Sequence, residues 1–497
     1  MVSSVVSKMA VVVLLSRSAP KGFAFSPCRR SHRWWSSSFR HSASPPLVSP
    51  LQRSARNCDA ATPSTEEPHQ RGHAPGSSPP PKRRDQILRA QKSLAGLMEA
   101  SRPGLDPSAN RFHAPLVYHD GYSSVPDWPP NHTFPMMKFE RIAHALLTTT
   151  SKTVPTSNLP RPLVRSREDF FRPPDFVDVP IEEWLDLLNN NNNEDGSDRS
   201  AQFGHRFLRG NLTREEARTI GFREQTHRPE LVERTVLEIA GTVLTARLAL
   251  QHGIAANLAG GTHHAHPEGG AGYTILNDLA IAADLLTTSS MVPSDGGDGD
   301  SPSDFEPPLQ KGGNPVPTHG TDALHTDGTR VDRVLVIDCD VHQGDGTAQY
   351  STLWESDQRL FTLSIHCESN YPFRKHNSTY DVGLPDHCSD EDYLAALQES
   401  VDRAIAEVRP DLVLYDAGVD VYEHDKLGRL DLSEEGGIRR RDRWVLDRCV
   451  SLGIPVAAVV GGGYDRDSLD ALGRRHAIVH EECAYVWRKH RLWRKGR

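Results

Sequence analysis

The residues in this chain best suited to chemistry are histidines and aspartates in separate short strings of the sequence. The strings are Gly-Gly-Thr-His-His-Ala (260–265), Asp-Cys-Asp-Val-His-Gln-Gly-Asp-Gly (338–346), a later Asp420, and Gly-Gly-Gly-Tyr (461–464). They offer metal ligands, neighbouring imidazoles that can accept and return a proton, and a phenolic hydroxyl that can stabilise an oxyanion. The set predicts a metal-assisted amide hydrolase.

Strand geometry indicates which of these residues hold the metal. Val-Leu-Val-Ile (334–337) has the pattern of a buried strand, and side chains alternate beyond it. Asp338, Asp340 and His342 therefore share one side, and one carboxylate and one imidazole of this set can bind the same cation. Asp420 is the best further ligand, because it follows a second strand pattern (411–418) and parallel strands place their sites at one edge.

Two carboxylates and one imidazole neutralise a divalent ion and leave coordination positions open, as catalytic zinc requires. Ferrous iron is the alternative, since oxygen-rich sites discriminate poorly between metals. The seven cysteines form no C-x-x-C pair, so the sequence contains neither a zinc knuckle nor a redox motif of that kind.

The four strings, in this order, resemble the zinc-dependent histone deacetylase family of arginase/deacetylase fold, most of all its class IV and bacterial-type members, over roughly residues 112–485. The resemblance implies zinc bound by Asp340, His342 and Asp420. It implies that His264 is the general base, that His263 assists, and that Tyr464 polarises the scissile carbonyl. The further residues implied are Asp338 and Asp345, which orient His263 and His264; Gly272, Tyr273 and Tyr371 in the substrate tunnel; and Asp338, Ser364 and Ile365 at a potassium site.

The expected function is removal of acetyl or other acyl groups from lysine side chains of histones or other proteins. Two alternatives use the same residues: an amidohydrolase that acts on acetylpolyamines, and a non-catalytic reader of acyl-lysine. An intact Tyr464 and both histidines argue against the reader. A ureohydrolase needs a further carboxylate after His342, where this chain has Gln343 and Gly344.

Strand patterns alternate with helix patterns such as 229–252 and 392–408, which predicts a three-layer α/β/α domain with a central parallel sheet. We place this single catalytic domain at residues 111–488. The other predicted segments are a targeting presequence (1–58), a mostly disordered linker (59–110), low-complexity insertions (189–198 and 287–329) and a basic tail (489–497).

Residues 1–58 contain seven arginines, two lysines and no acidic residue, which is typical of a transit peptide. A short apolar run and Phe25 resemble the bipartite presequences of algae with secondary plastids, so we expect a plastid location; the mitochondrion is the alternative. No stretch approaches the roughly 20 apolar residues of a membrane span. The net charge of −8 and the lack of a nucleic-acid motif predict no direct nucleic-acid partner, and the arginines 439–441 are interpreted as solvated charge.

Overall fold

Seven short strands form one parallel sheet at the centre of the domain. Their order is β1-β2-β7-β6-β3-β4-β5, and four of the five inner strands (β2, β3, β6 and β7) are buried along their whole length, as expected when both faces are covered. The strands are β1 (Leu116–Val117), β2 (Ile254–Asn257), β3 (Val334–Asp338), β4 (Leu360–Cys367), β5 (Tyr380–Leu384), β6 (Leu412–Asp416) and β7 (Val456–Val459).

Helices cover the sheet in two groups. Helices α6, α7 and α8 pack on one face, with α1 and α3 outside them, while α9, α10 and α11, joined by α2, pack on the other. The predicted three-layer architecture is therefore confirmed. The helices of the described residues are α1 (Arg83–Ala100), α2 (Lys138–Thr148), α3 (Ile181–Asn190), α4 (Arg199–Leu208), α5 (Arg214–Ile220), α6 (Pro229–His252), α7 (Asp278–Ser290), α8 (Asp345–Leu353), α9 (Asp390–Val408), α10 (Arg439–Ser451) and α11 (Leu469–His490).

This computed structural model describes residues 83–148, 162–190, 199–291, 330–464 and 468–494. The predicted presequence, the first part of the predicted linker and most of both predicted insertions lie outside these ranges. Within them, no helix is long and apolar enough to cross a membrane.

The predicted linker is wrong from residue 83 onward, because α1 is a packed helix. Its residues Ile87, Ala90, Leu94 and Leu97 are buried, and their spacing places them on one face. The helix packs on α7, and the Gln91 side chain donates to a backbone carbonyl there at 3.0 Å. The proline-rich composition before residue 83 concealed this apolar stripe.

Two other predicted boundaries fall inside helices. The insertion placed at 287–329 overlaps the end of α7, where the hydroxyls of Thr287 and Ser290 donate to backbone carbonyls of the preceding turn at 2.8 and 2.9 Å. The Ser/Thr run is therefore helical, with these hydroxyls bonded back to the helix itself. The basic tail likewise begins within α11, where Lys489 pairs with Asp447 at 2.7 Å. Earlier in α11, Trp487 Nε1 donates to the carbonyl of Asn110 at 2.9 Å.

The three consecutive arginines of α10 lie in three environments, so their interpretation as solvated charge is wrong for two of them. Arg440 is exposed and pairs with Glu391. Arg439 is 13% exposed and pairs with acidic residues of α11. Arg441 is fully buried.

Arg441 ties together the loops that follow β3 and β6. Its guanidinium donates to the carbonyls of Cys339 at 3.0 Å and Gly418 at 2.7 Å, and to the Asp442 carboxylate at 2.9 Å. Tyr415 in β6 donates to the same carboxylate at 2.6 Å. A buried ion pair therefore fixes the two loops in which Asp340 and Asp420 lie.

Helix α1 provides a test of the corrected boundary. We expect Leu94→Ala to lower the free energy of unfolding by about 2–5 kcal/mol, because it leaves a cavity beneath the helix. Leu88→Ala is the matched control, since Leu88 lies on the same helix and is 44% exposed. Equal urea midpoints for the two variants would show that α1 does not contribute to the folded core.

Adjacent arginines provide a test of the loop anchor. Arg441→Met leaves Asp442 buried without its cation, so we expect a loss of about 3–5 kcal/mol in unfolding free energy. Arg440→Met removes an exposed ion pair and should cost about 0–1 kcal/mol. Denaturant unfolding measures both changes, and a similar cost for the two substitutions would contradict the anchoring role.

Candidate active site and metal centre

The loops after β3 and β6 bring three predicted metal ligands together. His342 Nδ1 lies 3.0 Å from Asp340 Oδ1 and 3.2 Å from Asp420 Oδ2. One potential ligand atom from each residue lies within 4.8 Å of the others, and all three residues are buried. An ion about 2.0–2.2 Å from each donor would hold the donors about 3–3.5 Å apart. The observed donor separations therefore fit a single bound metal ion.

The electrostatics of this cluster favour a cation. Burial, together with the charge of Asp340, raises the pKa of Asp420 to about 7. Burial would lower the pKa of His342, but its bonds to Asp340 and Asp420 outweigh burial and raise that pKa to about 10. The same carboxylates that stabilise a proton on His342 would stabilise a divalent ion in its place.

The backbone of Gly462 packs directly against the carboxylates of Asp340 and Asp420. The Gly462 amide donates to Asp340 Oδ2 at 2.7 Å, and a Cβ at this position would collide with carboxylate oxygens of both Asp340 and Asp420. Only glycine fits there. Two residues later, the backbone amide of Tyr464 donates to Asp425 Oδ2 at 2.8 Å. This bond fixes the backbone of Tyr464 beside the metal ligands.

Each histidine of the neighbouring pair contacts its own carboxylate. His263 Nδ1 lies 2.8 Å from Asp338 Oδ2, and His264 Nδ1 lies 2.6 Å from Asp345 Oδ1. The two imidazole rings are 4.1 Å apart. The sequence analysis missed His266, whose Nε2 also contacts Asp345, at 3.1 Å. These contacts match the pairing implied by the family resemblance.

The two histidines have opposite protonation tendencies. Burial and the charge of His263 lower the pKa of His264 to about 4, and the Asp345 carboxylate offsets this only in part. Burial would also lower the pKa of His263, but the carboxylates of Asp338 and Asp340 outweigh it and raise that pKa well above its usual value. At neutral pH His264 is therefore the imidazole able to accept a proton.

A cavity of about 310 Å³ leads to this site. His264, His342 and Tyr464 line it, together with the predicted tunnel residues Gly272, Tyr273 and Tyr371. The Tyr371 ring lies 4.9 Å from the His264 ring, and the Tyr273 ring lies 6.0 Å from the Tyr464 ring. The lining residues that the sequence analysis missed are Thr219, Ile220, Gly221, Asn370 and Leu427.

Asp416 is a further buried acid that the sequence analysis missed. It is aligned with Asp338 on the neighbouring strand, and its Oδ2 lies 4.0 Å from His263 Nδ1. Within the described residues neither of its carboxylate oxygens has a hydrogen-bond partner, and burial and the charge of Asp338 raise its pKa well above normal. Its position at the end of the same apolar strand that precedes Asp420 was the available signal.

Lys138 is a second missed residue, on the opposite side of the glycine run. Its ammonium donates to the Gly461 carbonyl at 2.7 Å and lies 5.4 and 5.3 Å from the centres of the Phe134 and Phe139 rings. Burial lowers the pKa of Lys138 to about 8. The available signal was a lone lysine at the start of the amphipathic helix α2.

Of the residues implied at a potassium site, Asp338 ends β3, and Ser364 and Ile365 lie in the second half of β4. Ser364 is aligned with Asp338, and both Ser364 and Ile365 are buried. Ser364 Oγ lies 3.0 Å from His366 Nδ1, so this hydroxyl already has a hydrogen-bond partner. Potassium binding stays a prediction.

Comparison with known proteins gives a consistent result. The family model described as the histone deacetylase domain matches residues 141–293 and 322–478. An uncharacterized protein of Picosynechococcus sp. is 35% identical over 75% of this chain and 99% of its own length. Histone deacetylase 2 of Arabidopsis thaliana is 27% identical over 50% of this chain and 57% of its own length.

Acetoin utilization protein AcuC of Staphylococcus aureus is 27% identical over 45% of this chain, and the match spans 50% of AcuC. The crystal structure of the HDA15 HD domain aligns with a TM-score of 0.47 at 15% identity and covers 75% of this chain and 89% of that one. The family match covers well over half of the sequence and includes the histidine pair, the aspartate-rich string at 338–346, Asp420 and the glycine run. This chain therefore belongs to the histone deacetylase family.

Proposed function

We propose that this chain is a zinc-dependent hydrolase that removes acetyl or other acyl groups from lysine side chains of histones or other proteins. One observation carries the proposal. One pocket is lined by His342, His264 and Tyr464, and the pKa of His264 in it is lowered to about 4 by burial and the charge of His263. These are the parts that metal-assisted amide hydrolysis requires.

The donor set supports zinc. Asp340, His342 and Asp420 would hold the ion through two carboxylates and one imidazole, which leaves positions open for water and a substrate oxygen. When bound, zinc supplies the Lewis acidity that activates water and polarises an amide carbonyl. Ferrous iron would suit the same donors, and metal analysis distinguishes the two.

We assign proton transfer to His264. Because Nδ1 contacts Asp345, Nε2 is the nitrogen left for the reaction. The depressed pKa keeps the ring neutral at pH 7, ready to accept a proton from the attacking water. The same nitrogen can then return the proton to the leaving amine, which gives a carboxylate and a free lysine as products.

Tyr464 is assigned to the developing oxyanion. Burial raises the pKa of Tyr464 well above its ordinary value, so the hydroxyl stays protonated and can donate a hydrogen bond to the carbonyl oxygen. A single donor of this kind contributes about 3 kcal/mol to transition-state stabilisation.

The shape of the pocket suits a lysine side chain. Tyr273 and Tyr371 supply aromatic walls for a methylene chain, and Leu427 adds a further apolar surface. Pockets with mostly apolar walls and a few polar groups at one end are typical of small-molecule and side-chain recognition. The acyl group at the end of the chain would then reach His264 and Tyr464.

Removing single ligands tests the metal centre. We expect Asp340→Ala, His342→Ala and Asp420→Ala each to lose bound zinc and activity, because two donors cannot retain the ion. Cys339→Ala should keep both, since Cys339 is buried against Arg441 and Tyr393, apart from the metal ligands. Native mass spectrometry measures the metal, and full zinc occupancy in the Asp420 variant would remove Asp420 from the ligand set. Zinc bound without acetate release from any acetyl-lysine peptide would instead favour the reader alternative.

Replacing one hydroxyl tests the chemistry separately from binding. We expect Tyr464→Phe to lower kcat by about a hundredfold or more with little change in KM, because the bond to Tyr464 strengthens in the transition state. Zinc content and the affinity of a metal-chelating hydroxamate should stay near wild type. An unchanged kcat in the zinc-loaded variant would contradict the oxyanion role.

A further inference from the structure

The mouth of the active-site pocket is flanked by exposed positive charge. We propose that the enzyme selects acyl-lysines that are flanked by acidic residues in a protein, a preference that rests on the proposed lysine deacylase function. The inference comes from charged side chains that the chemistry itself does not use.

The first group of charges lies on and beside α5. Arg214, Arg218 and Arg223 surround an open hollow of about 720 Å³, whose lining also includes Glu224. The three arginines are exposed, and within the described residues none of them forms an ion pair. Three guanidinium groups thus face one carboxylate. We call this hollow the arginine hollow.

The arginine hollow and the active-site pocket are lined by neighbouring residues of one segment. Thr219, Ile220 and Gly221 line that pocket, and they lie between Arg218 and Arg223 in the chain. Arg214 and Arg218 are four residues apart on one helix, where like charges repel. The fold therefore places two mutually repelling, solvent-exposed cations next to the substrate entrance, and a bound anion would relieve that repulsion.

A second segment continues the positive surface on another wall. Tyr371 lines the pocket, and the following Phe373 is 91% exposed. Next to it, Arg374 is exposed and has no ion pair in the described part of the chain. The Lys375 ammonium donates to the carbonyls of Asn370 and Pro372 at 2.7 and 2.8 Å, which closes the loop and gives this segment a defined shape.

This charge distribution distinguishes between the substrate classes that the chemistry allows. Acetylpolyamines and lysine-rich histone tails carry additional positive charges, which exposed guanidinium groups would repel. Aspartate or glutamate beside the acyl-lysine would instead form ion pairs with planar guanidinium groups that match carboxylate geometry. Because charges are screened beyond about 8 Å at physiological salt, the local surface outweighs the chain's net charge of −8.

Peptide competition tests the preference. The zinc-loaded full chain is assayed with one acetyl-lysine sequence bearing acidic, neutral or basic flanks, and with acetylspermidine. Each exposed ion pair contributes about 1.5- to 5-fold, so we expect kcat/KM to be about tenfold higher for acidic than for basic flanks at low salt. The ratio should shrink in about 0.5 M salt, as it must for exposed charges.

Reversing the charge of two arginines tests whether the arginine hollow causes the preference for acidic flanks. Arg218→Glu combined with Arg223→Glu should bring the acidic-to-basic ratio to one or below. The control is Arg403→Glu combined with Arg409→Glu, two exposed positions within α9 and at its C-cap, of which Arg403 pairs with Glu407; this variant should leave the ratio unaltered. Because each ratio is measured on one preparation, it does not depend on the fraction of folded enzyme.

The outcomes separate the two proposals. Cleavage of the neutral peptide with no preference between acidic and basic flanks, or better cleavage of acetylspermidine than of the acidic peptide, overturns the substrate inference alone. A ratio that persists in the charge-reversed variant also overturns it. Failure to cleave both acetyl-lysine and longer acyl-lysines in any of the peptides contradicts the proposed function itself.

Discussion

The structure depends on neutralising negative charge that is buried at the carboxyl edge of its sheet. An uncompensated buried carboxylate costs several kcal/mol, so each must contact a cation or accept hydrogen bonds. The aspartates concerned are Asp338, Asp340, Asp345, Asp420 and Asp425, all less than 9% exposed. The compensating groups include His263, His342 and the backbone amides of Gly462 and Val341. The requirement links the fold to the site, because the same contacts stabilise the loops and prepare a place for a divalent ion.

Much of the site could be predicted because it depends on short-range geometry. Asp338 ends β3, Asp340 and His342 follow within four residues in the next loop, and the parallel sheet brings Asp420 to the same edge. What could not be predicted depends on partners far away in the sequence. Lys138 contacts Gly461, 323 residues later, and Arg441 contacts Cys339, 102 residues earlier. The sequence around Lys138 or Arg441 contains no pattern that indicates either of these distant contacts.

Local residue composition predicted the structure poorly where the helical spacing of the same residues indicated something else. The arginines 439–441 look alike as a string, yet successive helix positions point about 100° apart, so one faces solvent and another faces the core. The segment after residue 60 has a disordered composition, but the apolar spacing within α1 is that of a packed helix. The Ser/Thr run at the end of α7 looked like a loop, but its hydroxyls satisfy the preceding turn of helix.

The contacts of α1 and the N-terminal segment bear on how the chain reaches its native state. Gln91 contacts Ser289, and Asn110 accepts a bond from Trp487, so residues 83–110 bind partners synthesised near the middle and the end of the chain. Folding rates fall as such sequence separations grow, because the chain loses the entropy of closing a long loop before the stabilising contacts form. During synthesis the apolar stripe of α1 therefore stays uncovered until α7 emerges, and the domain closes only when α11 is complete. The order of synthesis therefore leaves this apolar surface exposed to solvent until its partner helix has been made.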